Sequence, residues 1–116
     1  MASLSMKRSL KARQIGLVQT YHKIDASAEK DLGLDAMYVE SVEEVSTGIV
    51  KITVKEKSCQ NVVVGGLVSF TSGAILSVIA EDKESVTIEA IDAAGDPVQA
   101  DFGVTLVHSK VTNYLY

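Results

Sequence analysis

The chain has 116 residues, 47% of them hydrophobic and 22% charged, with a net charge of −4, two histidines, one cysteine and no tryptophan. That length supports one domain with a core of its own, without metal or disulfide staples. A lone Cys59 excludes an intramolecular disulfide, and no apolar run is long enough for a transmembrane helix.

The charge is unevenly spread. Residues 1 to 23 carry Lys7, Arg8, Lys11, Arg13 and Lys23 and no acid, so +5 precedes a body of −9 within the net −4. A basic arm on an acidic body suits docking onto an acidic surface. Residues 1–14 are therefore read as an N-terminal basic arm, with Lys7, Arg8, Lys11 and Arg13 as candidate partner-binding residues. The plainer alternative is a terminus kept soluble by its charges. Residues 4 to 13 permit a short amphipathic helix, too short to persist alone. The basic start lacks the uninterrupted apolar stretch of a signal peptide. With one cysteine the chain fits a reducing cytoplasm, and an exported protein without disulfides stays open. No aromatic residue stands between positions 1 and 20 to stack on bases, so neither nucleic acid nor membrane is an expected partner.

Residues 15–116 read as a single β-sandwich domain. In IGLVQTYH (15 to 22), Ile15, Leu17, Gln19 and Tyr21 alternate with Gly16, Val18, Thr20 and His22, a first strand. DASAEKDLGLD (25 to 35) is a polar loop in which Asp25 or Ser27 caps one helical turn. MYVESVEEV (37 to 45) fits helical spacing and alternation alike, and its STG boundary tips it toward a strand. GIVKITVKEK is clearer: Val50, Ile52 and Val54 face one way and Lys51, Thr53 and Lys55 the other. NVVVGGLVSF (61 to 70) is either buried on both faces or bent at its glycines. AILSVIAED, SVTIEAID and DFGVTLVHSK follow at intervals of roughly ten residues, the rhythm of an antiparallel sandwich or barrel. The expected fold is all-β, an antiparallel sandwich or barrel of about six to eight strands with an extended basic N-terminal arm.

Between the last two strands lie Asp92, Gly95, Asp96, Pro97 and Asp101. Their spacing does not match an EF-hand calcium loop, and one glycine ahead of a strand does not make a phosphate loop. The segment reads as a hairpin turn, with Asp side chains capping amides and Gly95 at positive φ. A weak cation site is the alternative. His22 and His108 lack metal-ligand spacing and are expected at a sheet edge or rim. Cys59, in an expected turn, has no base beside it. Glu40, Glu43 and Glu44 read as a solvated acidic face, because a glycosidase cleft would be lined by aromatic rings. No catalytic, metal or cofactor-binding residue is assigned, no cofactor is expected, and the chain is read as non-enzymatic. VTNYLY at the C-terminus places Tyr114 and Tyr116 as candidate partner-binding residues. Either this segment closes its own sheet or it anchors a neighbour.

From GIVKITV through VVVGGLVSF to SVTIEAIDAAGDPVQADFGVTLVHS, about residues 37 to 109, the chain resembles small virion proteins of tailed bacteriophages. The resemblance rests on a strand of the form G-x-[VY]-x-[IV]-T-[VL] and a closing hairpin carried by Val86, Ile88, Asp92, Gly95 and Asp101, then Phe102, Val104 and Leu106. Many such proteins place an aromatic near residue 50, where Val50 stands here. The resemblance implies a capsid decoration (cement) protein, located on the capsid surface after assembly in the host cytoplasm. Its implied partners are the major capsid protein or other virion subunits and itself, as a homo-oligomer, a trimer. A receptor- or glycan-binding module of a tail fibre or spike, using loops 56 to 61 and 92 to 101, is the alternative.

Overall fold

The computed structural model describes residues 14–55 and 59–112, with side-chain placement over residues 17–55 and 61–108. Eight strands lie in this part: β1 (Gln14–Asp25), β2 (Lys30–Asp31), β3 (Val39–Ser46), β4 (Ile49–Val54), β5 (Cys59–Ser69), β6 (Ile75–Glu81), β7 (Ser85–Ile91) and β8 (Phe102–Thr112). They form two antiparallel four-stranded sheets, in the orders β2-β1-β8-β5 and β3-β4-β7-β6. The all-β sandwich expected from the sequence is what these residues build. A 3-10 turn, Ala36–Tyr38, is the one helical element among the described residues.

The core follows from alternation. Val50, Ile52 and Val54 point inward from β4, as the spacing predicts, and meet Val86 and Ile88 from β7. The other sheet supplies Ile24, Phe102, Val104 and Leu106. Two segments with irregular apolar spacing become regular once bulges are counted. In β5 the register shifts between Val64 and Gly66. The Gly65–Gly66 pair absorbs one extra residue, so Val62, Val64 and then Leu67 all pack on the core while Val63 and Val68 face solvent. The strand is bent at its glycines, not buried on both faces. In β3 a shift between Val39 and Ser41 lets Val39 and Val42, three residues apart, share the inner face. That spacing is what resembled a helix.

Three expectations need correction. Cys59 opens β5, opposite Lys110, and is not in a turn. The 25–35 loop contains no α-helical turn; Asp25 instead closes a tight turn, accepting hydrogen bonds from the Ala28 amide and the Ser27 hydroxyl. Those bonds hold its carboxyl below the ordinary value. The Asp92–Gly95 segment is a turn, with the Asp92 side chain accepting from the amides of Ala94 and Asp96, and it folds back so that Pro97 bridges Ile91. It does not join a hairpin, because β7 and β8 belong to different sheets. The chain crosses the top of the sandwich there, and Asp101 leaves the turn to accept the Ala26 amide.

Gly48 and Gly95 both turn with positive φ, 79° and 88°, yet only Gly48 is crowded. A Cβ there would stand 2.6 Å from the Ala90 carbonyl oxygen, whereas at Gly95 it meets open space. Gly95→Ala is expected to cost about 1–2 kcal/mol for the left-handed backbone alone. Gly48→Ala adds a clash with fixed backbone and is expected to cost roughly 3 kcal/mol or more. Urea denaturation of both variants checks the order.

Candidate functional site

The β1–β8 register pairs Val18 with His108, Thr20 with Leu106 and His22 with Val104. The even-numbered residues from Val18 to Ile24 and from Phe102 to His108 therefore face the core, and three of these are polar: Thr20, His22 and His108. Both histidines are buried, at 0% and 2% exposure. The expectation of an edge or rim placement is overturned. β1 and β8 are the central strands of their sheet, and the phase of alternation puts His108 in line with Phe102, Val104 and Leu106. Burial is tolerated because the polar atoms satisfy one another.

They do so in a chain. Asp31 Oδ2 lies 2.5 Å from His22 Nδ1. His22 Nε2 lies 2.6 Å from Thr20 Oγ1, and Thr20 Oγ1 lies 3.0 Å from His108 Nε2. A carboxylate only accepts, so His22 Nδ1 carries a proton and donates it to Asp31. With His22 neutral, its Nε2 accepts the Thr20 hydroxyl, and Thr20 in turn accepts from His108 Nε2–H. Every donor in the chain then meets an acceptor. Tyr38 packs its ring edge-on to His108, centroids 6.3 Å apart.

Asp31 also fixes the excursion after β1. Its Oδ1 accepts from the amides of Gly33 and Lys23, and Asp35 accepts from the Tyr21 amide at 2.8 Å. Carboxylates thus occupy the β1 edge beyond the two residues that β2 pairs, a way of blunting an edge without another strand.

Asp31, His22 and Thr20 hold the order of an acid–base–nucleophile triad. Thr20 is 2% exposed, so its hydroxyl has no approach for a substrate. A shallow cleft of about 230 Å³ between β2 and β3 is lined by Glu29, Asp31 and Glu40 among others, but not by Thr20 or either histidine. The chain of bonds links β2, β1 and β8. Among the described residues no group of three or more His, Cys, Asp or Glu side chains is placed to hold a metal ion.

The second candidate is a surface. The outer face of the β2-β1-β8-β5 sheet carries Leu17, Gln19, Tyr21 and Lys23 from β1, Gly103, Thr105 and Val107 from β8, and Val63 and Val68 from β5, with Phe70 just beyond. Leu17, Tyr21, Val63, Val68 and Phe70 are all 40% exposed or more. Lys23 is the only charged residue in this group, and its ammonium lies over the Phe70 ring, 5.6 Å from the centroid. Gly103 lets Tyr21 lie flat: a Cβ there would meet Tyr21 Cζ at 3.0 Å and Val68 Cγ1 at 2.9 Å. The opposite sheet mixes charge with apolar residues: Glu43 stands against Lys51 with Glu89 nearby, and Val45, Ile75 and Ile79 are exposed on the same sheet. Glu40 and Glu43 are exposed there, as the acidic-face reading expects, and Glu44 accepts from the Gln99 amide.

Lys7, Arg8, Lys11, Arg13, Tyr114 and Tyr116 lie outside the described residues. The structure brings together two sites: sequence reasoning missed the buried chain, and of the outer face it marked only the apolar strand NVVVGGLVSF. The buried chain was signalled only by phase, His22 with Ile24 and His108 with Leu106. The outer face was signalled by odd-numbered Leu17 and Tyr21, once β1 is paired with β8. No known protein family, curated protein or solved structure matches the chain.

Replacing Thr20 separates packing from hydrogen bonding. Thr20→Val keeps the shape but leaves both Nε2 atoms without the hydroxyl, and is expected to cost about 2–4 kcal/mol. Thr20→Ser retains the hydroxyl and is expected to cost about 1 kcal/mol for one methyl. Denaturant midpoints of the two variants check this; equal losses would mean that the hydroxyl is idle.

Proposed function

We propose that this chain is a non-enzymatic structural subunit that works by binding protein surfaces. Its setting is the one that the resemblance implies: a decoration protein on the capsid of a tailed phage, associated with the major capsid protein and with copies of itself. The observation that carries the reading is the outer face of β1, β8 and β5, apolar and nearly free of charge on a body that is otherwise acidic. Contiguous exposed apolar surface of this kind marks interaction sites. The Asp31–His22–Thr20–His108 chain supports it from the other side, since the hydroxyl of the one triad-like arrangement among the described residues, on Thr20, is buried in the core.

Self-association and the role of the basic arm belong to this proposal. Lys7, Arg8, Lys11 and Arg13 would lie on acidic neighbouring subunits, an attraction that salt weakens. Deletion of residues 1–13 is expected to lower occupancy on purified particles and make them more heat-sensitive, with the β-body still folded. Gel densitometry of virions reads the outcome directly. A decoration protein is present in hundreds of copies per particle, a tail module in a few, and absence from particles ends the reading.

A further inference from the structure

We propose that the outer face of β1, β8 and β5 is occupied by a second copy of this chain, the two sheets packing face to face about a two-fold axis. The inference rests on the assembly reading above and gives it a surface. It also replaces the trimer implied by the resemblance with a dimer.

Size is the first argument. By register the face runs over five rows, from Leu17 and Asn61 at one end to Phe70, level with Asp25 and Asp101, at the other. At ~6.6 Å per row and ~4.8 Å per strand it covers about 450 Å². Two copies together contribute about 900 Å² before side-chain relief is counted, close to the roughly 1,000 Å² that a specific interface needs. Shape is the second. Gly65, Gly66 and Gly103 leave the middle of the face low, and Tyr21 lies flat across Gly103 against Val68. A flat sheet face finds its match in another sheet face, with side chains interdigitating at a separation of about 10 Å.

Charge is the third and chooses the occupant. Outside residues 1 to 23 the chain carries −9, so two copies meeting on most surfaces oppose like charges. Among the described residues this face carries one cation, Lys23, with Asp25 and Asp101 beside it in the end row, and the rest of it is uncharged. With the strands of the two copies running antiparallel, each Lys23 sits over the Leu17 end of the other. The two ammonium groups are then about 20 Å apart along the strand, well beyond the ~8 Å screening length. The Lys23–Phe70 contact closes the rim.

Sedimentation equilibrium of the full chain from 1 to 100 µM tests this. The expected mass is twice the 12.4 kDa of one chain. Val68→Glu and Val63→Glu, each at a position 40% exposed or more, should weaken association at least tenfold while circular dichroism and thermal midpoint stay close to the parent. Val45→Glu, exposed on the other sheet, should leave the mass unchanged. A monomer at 100 µM would overturn the proposal and assign the face to a foreign partner. A trimer, or any oligomer indifferent to both face variants, would overturn it as well and move self-association elsewhere. Neither result touches particle binding, which the virion measurement decides separately.

Discussion

Everything in the described structure depends on the pairing of β1 with β8. Eleven residue pairs, from Gln14–Thr112 to Ile24–Phe102, join the two ends of the described chain. This single register decides which residues of both strands enter the core. It puts Thr20 between two histidines, and it sets Tyr21 across Gly103 on the other side. Side chains in a strand alternate with period two, so a slip of one residue would exchange the two faces. Lys23 and Gln19 would then enter the core, and His22 would leave it. Such long-range pairing is slow to form because the intervening loop must close first.

The two faces of this sheet have different physical tasks. Inside, Phe102, Val104 and Leu106 contribute apolar burial, while Asp31, His22, Thr20 and His108 add directional bonds that only one packing satisfies. These bonds cross from β2 through β1 to β8, so they tie the 26–38 excursion to the sheet. Outside, the same strands present apolar side chains with few charges. A stable fold does not require that outer face to be apolar. The opposite sheet, of similar size, sets Glu43, Lys51 and Glu89 among its exposed apolar residues Val45, Ile75 and Ile79.

Much of the fold was legible in the sequence because alternation in β4, β7 and β8 is clean: Val50, Ile52 and Val54 could face only one way. Where reading faltered, bulges were the cause. Val39 and Val42 share a face across an extra residue, which breaks the period of two and mimics a helical step. The glycines of NVVVGGLVSF announced their bulge, whereas nothing about Glu40 did. The sheet assignment of β7 and β8 was hidden, because the Asp92–Gly95 turn is built from the same residues whether the chain returns or crosses. The histidine chain was the hardest to foresee. His22 and His108 are 86 positions apart in sequence, and their meeting depends on a register that no local pattern fixes.

The β1–β8 register is thus the claim that most needs direct measurement. Isotope-edited nuclear Overhauser spectroscopy across the two strands reads it pair by pair. The account predicts cross-strand contacts between Thr20 and Leu106 and between His22 and Val104, with both imidazole rings beside the Thr20 hydroxyl. Contacts pairing Tyr21 with Leu106 or His22 with Thr105 would show a shifted register and contradict both the buried chain and the apolar face.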